Sequence, residues 1–355
     1  MIDELHTLMN FLPVSSNQVA VGSLLDHVQT RLQQCGLEVE RLEYSGYQSL
    51  YASTRGKKHS KVMLQSHVDV VPGGEVYRQE GDNIYGRGCY DMLFAVASYI
   101  HLIDNLDPAT GYDISLLLTG DEELGGANGV GAALNIEQYT TDVCILPDAG
   151  EGIATLSIAA KGMLGMRLKA RGLSHHGSRP WEGDAATHKL VLFLTELQEI
   201  FDTTDQNNAT ITISQLAAGN EALNQGPAEA TAGIDIRFND EHEYDLIRGK
   251  LTALAKRYDV ETLEENLGRS FALDVDSPLV KQFIAVHEAE IGQPIEYVKA
   301  HGSSDARYFD DRDIPVIMLR PNGGNAHGDG EWLSVESWQT FHQIVERYVR
   351  EVAKV

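Results

Sequence analysis

Four short apolar runs set the frame for this chain: residues 62–64, 114–118, 143–146 and 314–319. Helical stretches lie between several of them, at 92–106 and 278–291. Runs this short, separated by helices, read as buried strands, and the alternation predicts an α/β sheet covered on both faces. Ahead of them, residues 18–35 carry Val21, Leu24, Leu25, Val28 and Leu32 on one stripe and end at Gly36, the pattern of an opening helix and its terminator.

The middle of the chain has another rhythm. Strands are expected at 163–170, 210–216, 228–238 and 260–263, with helices at 187–201 and 241–258. That order, βαββαβ, is the split ferredoxin-like pattern of a small self-contained domain. Residues 162–267 therefore read as an insertion into a larger α/β domain built from 1–161 and 268–355.

Composition narrows the function classes. A hydrophobic share of 43% and a charged share of 23% suit a globular protein. No apolar run approaches the roughly 20 residues of a membrane helix, and the first ten residues carry acids where a secretory signal carries Lys or Arg. The expectation is a cytoplasmic protein. With 28 Lys plus Arg against 52 Asp plus Glu, a formal charge of −24, nucleic acid and anionic membrane are poor partners. Three scattered cysteines, Cys35, Cys89 and Cys144, make no disulfide framework and no CxxC metal motif. Any metal must be held by His and carboxylates.

Each apolar run leads into polar residues of a narrow kind. After the first comes His67-Val68-Asp69, after the second Asp121-Glu122-Glu123, after the third Pro147-Asp148, and beyond the fourth Asn325-Ala326-His327. Crevices in open α/β sheets form at the carboxyl ends of strands. Strand ends supplying only His, Asp and Glu have the composition of a zinc-type site. Each residue alone has an ordinary reading: His67 as a core histidine, His327 as a loop residue, Asp148 as a turn former, Asp91 as a helix cap. Their common placement favours the metal site.

Five segments in order, HVDVVPGG (67–74), GRGCYDM (86–92), TGDEELGG (119–126), LPDAG (146–150) and NGGNAHGDGEW (322–332), resemble the signatures of a dinuclear metallohydrolase family. That family contains aminoacylases, acetylornithine deacetylase, succinyl-diaminopimelate desuccinylase, glutamate carboxypeptidase and several dipeptidases. The resemblance covers nearly the whole chain. It implies a mixed-sheet catalytic domain and gives the ferredoxin-like insertion the part of a lid and homodimerisation domain. It further implies two divalent ions, zinc first with cobalt or manganese as alternatives. Asp91 would bridge them, His67 and Asp148 completing one site, Glu123 and His327 the other. Asp69 would accept the spare His67 N–H, Glu122 would be the general base, and His176 would reach across a dimer to the reacting carbonyl. Asn224, Arg237, Gly302, Ser303, Ser304 and Arg307 match positions that hold substrate. One departure stands out: relatives commonly follow the bridging aspartate with Met-Lys-Gly, whereas here Met92-Leu93-Phe94 follows Asp91.

The expected activity is removal of an acyl group from an N-acylated amino acid, with a dipeptidase or carboxypeptidase as the alternative. Two other classes are weaker. A nucleotide-binding reading of the glycine-rich 125–131 turn meets three carboxylates that would repel phosphate. A non-catalytic metal-binding homologue would have no need of Glu122 beside a complete ligand set.

Overall fold

The computed structural model describes residues 1–106, 111–202, 204–219, 222–310 and 312–355. The chain divides into two compact units. One comprises Met1–Ala159, Ala272–Ala300 and Ser304–Val355, the other Ala160–Phe271 with His301–Ser303.

The first unit is organised by a six-stranded mixed sheet. Its strands are β1 (Glu38–Tyr44), β2 (Tyr47–Ser53), β3 (His59–His67), β4 (Ile114–Thr119) and β5 (Thr140–Ile145), with the two-residue strand Val316–Ile317 at one edge. The spatial order is β1-β2-β4-β3-β5 and then Val316–Ile317. β1 and β2 form an antiparallel hairpin across Ser45 and Gly46, both at positive φ, the primed-turn geometry that matches strand twist. β3 runs parallel to β4 and β5, and Val316–Ile317 runs parallel to β5. All six residues of β4 are buried, which is why this strand reads as an uninterrupted apolar run. The four apolar runs thus fall in four parallel strands, and parallelism delivers their carboxyl ends to one edge.

Helices cover the sheet with apolar faces. Gln18–Gln34 packs on β1 and β2, and Leu93–Asn105 on β3. In Leu93–Asn105 every residue from Leu93 to Ile100 is buried, so Leu93 and Phe94, the departure from the usual Lys-Gly, serve the core. The last helix, Val335–Val352, is capped by the Ser334 side chain accepting the Ser337 N–H. It packs Trp338, Phe341, Ile344 and Tyr348 inward. Trp338 Nε1 donates to Ser98 Oγ at 2.6 Å, and Phe341 meets Phe94 edge-on with centroids 5.5 Å apart. Among the described residues no helix is long and apolar enough to cross a membrane.

A small second sheet in this unit pairs Gly323–Gly324, Trp332–Ser334, Asn83–Tyr85 and Arg78–Glu80 in that order. It carries no sequence signal, because strands of two or three residues have no periodicity to read. It nevertheless ties the segment leading to Asp91 to the segment carrying His327.

The second unit is a four-stranded antiparallel sheet of β6 (Gly162–Arg171), β7 (Thr210–Ala218), β8 (Glu229–Phe238) and β9 (Val260–Gly268), ordered β7-β8-β6-β9. Helices Ala186–Gln198 and Glu241–Tyr258 complete the expected βαββαβ order. Burial alternates strictly along β6 and β8, and the buried set, including Leu164, Leu168, Ile234 and Phe238, packs on Leu190, Phe193, Leu251 and their neighbours. β9 extends to Gly268, beyond the expected 263. Its interior, Glu261 to Leu267, is entirely exposed, and the register shifts between Thr262 and Glu264. An edge strand of this kind has no hydrophobic alternation; pairing with β6 and the ion pairs Arg167–Glu264 and Arg171–Glu261 define it.

Candidate metal centre

The site forms at the common edge of the parallel strands. His67 is the last residue of β3, and Val68 donates to the Thr119 carbonyl at 2.7 Å, locking the ends of β3 and β4 together. His67 Nδ1 donates to the backbone carbonyl of Asp69 at 2.9 Å. That bond sets the tautomer and leaves Nε2 to face Asp91 Oδ1 at 3.2 Å and Asp148 Oδ1 at 3.9 Å. On the other side, His327 Nε2 lies 3.1 Å from Asp91 Oδ2 and 3.0 Å from Glu123 Oε1. Each oxygen of Asp91 therefore faces a different histidine, with one further carboxylate beside each.

Two imidazole nitrogens this close to carboxylate oxygens need a cation between them, either a proton or a metal. The donor set of His nitrogen and carboxylate oxygen, with His67, Asp91 and Glu123 offering atoms within 4.8 Å of one another, suits zinc-type divalent ions. The electrostatics agree. Burial pushes Asp148 up to about 6, and the charge of Asp91 adds to it. Glu122 is raised well above the usual carboxylate range by burial, then by Asp148 and Asp305. His67 is pushed well above its ordinary range: burial opposes this, but the hydrogen bond to Asp91 and the nearby carboxylates outweigh it. Hydrogen bonds to Asp91 and Glu123 raise His327 to about 10. This edge carries more negative charge than it can ionise without added cations.

Asp69 works differently from the sequence expectation. Its carboxylate stands 3.7 Å from His67 Nδ1, and the histidine N–H goes to its backbone carbonyl instead. The carboxylate, fully buried, accepts the N–H of Glu122 on Oδ1 at 3.2 Å and that of Glu123 on Oδ2 at 3.3 Å. Two adjacent amides opening the short turn Glu122–Leu124 are better donors for a buried anion than one shared imidazole. Asp69 thus aims both acids. Asp121 supports the turn, accepting the Asn128 N–H at 2.8 Å. Glycine is required at 126, where φ is +64° and a Cβ would sit 1.9 Å from Asp305 Oδ1.

Two residues inside the glycine-rich motifs take roles that sequence reasoning does not assign. Arg87 Nη1 and Glu331 Oε2 form a buried ion pair at 2.7 Å. Glu331 also accepts the backbone N–H groups of Gly88, Tyr90 and Asp91, at 3.1, 2.9 and 3.0 Å. Arg87 Nη2 reaches the carbonyls of His327 and Gly328 at 3.1 and 3.2 Å. One pair thereby holds the loops of the central aspartate and of His327. The only local signal is their position in those motifs; their partnership spans 244 residues.

Of the substrate-contact candidates, Ser304 hydrogen-bonds Asp148 and helps hold it ionised against burial. Arg307 opens a helix of only four residues, Arg307–Asp310, and donates to the Gly125 carbonyl at 2.6 Å. Gly302 and Ser303 group with the second unit. Within that unit, the pairing of His175–His176 with Gln225–Gly226 brings Asn224 beside His176, and the Asn224 carbonyl accepts the Gly177 N–H. His176 Nδ1 accepts the Ser178 N–H at 3.2 Å, so its proton is on Nε2, exposed to solvent. Arg237 forms a two-pronged pair with Asp235 at 2.7 and 2.9 Å.

Residues 63–351 match the profile of Peptidase family M20/M25/M40. The chain belongs to that family. As an M20 protein it is a hydrolase of amide or peptide bonds. Among curated relatives, a succinyl-diaminopimelate desuccinylase from Novosphingobium aromaticivorans is 26% identical over 351 residues, covering 92% of either chain. One from Bordetella petrii is 28% identical over 344 residues, covering 89% of each. Among solved structures, a tripeptidase from Staphylococcus aureus superposes with a TM-score of 0.83 at 18% identity, covering 99% of this chain and 97% of its own. An M20 metallo-carboxypeptidase from Sulfolobus solfataricus gives 0.77 at 16% identity, covering 99% of each chain. These likenesses support the M20 fold over the whole length.

Proposed function

We propose that the protein is a deacylase that cleaves the amide bond of an N-acylated amino acid, with Glu122 as general base. Asp91 would bridge two divalent ions, zinc or else cobalt or manganese, with His67 and Asp148 on one and Glu123 and His327 on the other. Bound there, such ions polarise an amide carbonyl and acidify a water near neutral pH. Glu122 takes the proton of the attacking water and delivers it to the departing amine. Asp69 keeps Glu122 and Glu123 in register, and the Nε2–H of His176, supplied across a homodimer of the 162–267 domain, shares the developing oxyanion. Asn224, Arg237, Gly302, Ser303, Ser304 and Arg307 are the remaining candidates for substrate contact.

The observation that carries this reading is Glu122 itself. Among the described residues its carboxylate has no hydrogen-bond or ion-pair partner, although Glu123 beside it pairs with His327. An uncommitted carboxylate beside Asp91, Glu123 and Asp148 is free to take a proton from a water held there. Deacylation is preferred to peptidase activity because the curated relatives, matched over about nine-tenths of their length, are desuccinylases. The alternative, a dipeptidase or carboxypeptidase, has only likeness of fold to peptidases behind it.

The test is a hydrolysis panel of N-acetyl, N-succinyl and N-formyl amino acids beside simple dipeptides, with zinc or cobalt restored after chelation. Glu122→Gln should retain its bound metal while turnover falls by roughly 10²–10⁴. Full activity in that variant, or undiminished activity after chelation, overturns the mechanism.

A further inference from the structure

The arginines that the family pattern offers for a substrate carboxylate are engaged within the fold. Arg237 is paired with Asp235, and Arg307 donates to Gly125. Arg87 is committed to Glu331. Arg320 is different. It lies three residues beyond the strand Val316–Ile317, on the edge where the ligands gather. Its guanidinium carbon is 4.4 Å from the centre of the Tyr90 ring, and its Nε donates to the Gly150 carbonyl at 2.8 Å. Tyr90 immediately precedes Asp91 and Gly150 lies two residues past Asp148, so the guanidinium is pinned between the segments that carry two ligands. The side chain is partly exposed. Among the described residues its terminal nitrogens, Nη1 and Nη2, have no hydrogen-bond or ion-pair partner.

We propose that Arg320 is a substrate-binding residue whose open guanidinium fork grips a carboxylate of the substrate, making the enzyme selective for molecules that bring an anion beside the scissile amide. This rests on the amide-hydrolase reading above. A planar fork with two free N–H edges matches a carboxylate in two-pronged geometry. Ring contact and the Nε bond hold the fork in place before substrate arrives, so little rotamer freedom is lost on binding. A merely neutralising arginine would close on one of the ligand carboxylates, yet no carboxylate lies within 4.0 Å of it among the described residues. Arg320 brings a positive charge to the segments that carry Asp91 and Asp148. The gripped group is either the free carboxylate of a dicarboxylic acyl group or the α-carboxylate of the amino acid.

The test uses the full-length, metal-loaded protein with Arg320→Met and Arg320→Lys. Substrates are N-succinyl and N-acetyl amino acids, each with the α-carboxylate free or amidated. For substrates that keep the gripped carboxylate, kcat/KM should fall roughly 10- to 100-fold, mostly through KM, as for loss of a charge-assisted hydrogen bond. Arg320→Lys should recover only part. The substrate whose masking abolishes the difference between wild type and Arg320→Met identifies the carboxylate. Bound metal should stay unchanged, and the chain should stay folded at the assay temperature. An equal loss on every substrate, no loss, or loss of metal overturns the proposal. Calorimetric binding of succinate and of N-acetylglycine to wild type and Arg320→Met gives a readout independent of turnover. If the wild type cleaves nothing in the panel, the amide-hydrolase reading fails, while weakened calorimetric binding in Arg320→Met still supports Arg320 and unchanged binding refutes it.

Discussion

The buried pair Arg87–Glu331 should resist the usual remedy for a buried ion pair. The side chains are 6% and 1% exposed and the contact is 2.7 Å. Arg87→Met alone strands the Glu331 carboxylate in the interior and removes two bonds to the His327 and Gly328 carbonyls, at an expected cost of about 3–5 kcal/mol. Replacing both partners by apolar residues is often neutral or stabilising. Here it should not be. Glu331 is also the acceptor for the N–H groups of Gly88, Tyr90 and Asp91, and Arg87→Met/Glu331→Met leaves all three without a partner. At about 1–3 kcal/mol for each stranded donor, and with some relaxation, the double variant should lose roughly 3–6 kcal/mol. Urea unfolding of the chelated protein measures this, with bound metal per chain by elemental analysis in parallel. Metal content should fall too, because the Asp91 amide hangs from Glu331 and the His327 carbonyl from Arg87. A double variant within roughly 1 kcal/mol of wild type and fully metallated would refute the reasoning.

Three further outcomes are expected. Asp69→Asn leaves one oxygen to serve the Glu122 and Glu123 amides, so kcat should drop about 10- to 100-fold at saturating metal, while intact kcat would show that the acids need no such aiming. Gly126→Ala drives a methyl group into Asp305 at positive φ and should cost on the order of 1–3 kcal/mol in urea unfolding, much of it regained with Asp305→Ala. His342 is lowered from 6.5 to about 4 by burial and by His101, against the pull of Glu346 at 3.6 Å. Above pH 6.5 it is neutral folded or unfolded and has no effect. As pH falls from 6.5 to about 4 only the unfolded chain takes the proton, so stability drops by roughly 3 kcal/mol and then levels. His342→Leu should remove that part of the pH slope measured between pH 4 and 7; an unaltered slope assigns it to other groups.

The strands that carry the site are legible because β3, β4 and β5 are largely buried on both faces, and such burial demands short contiguous apolar runs. The β1–β2 hairpin is not: its outer strand is half exposed and its signal is a single Ser45-Gly46 turn. β9 runs past its expected end because an acidic edge strand is defined by its partner. The role of Asp69 departs from expectation for a similar reason. Nothing local tells a buried carboxylate that two amides 53 and 54 residues away will outcompete the neighbouring imidazole.

The sequence by itself determined which side chains are chemically able to hold a metal and move a proton, and, through the apolar runs before them, that they would arrive at strand ends. Residue type and short-range periodicity are local properties, so both are open to reading. Only the tertiary structure decided that the two oxygens of Asp91 face His67 and His327 separately, that the Glu122 carboxylate is left unpaired among the described residues while that of Glu123 is not, and that Arg87 and Glu331 brace the loops between them. It also decided that Arg320 stands between the segments of Asp91 and Asp148 with Nη1 and Nη2 unpartnered among the described residues. Those facts depend on distances between residues remote in sequence, fixed by the parallel register of the sheet and by short strands that leave no pattern of their own.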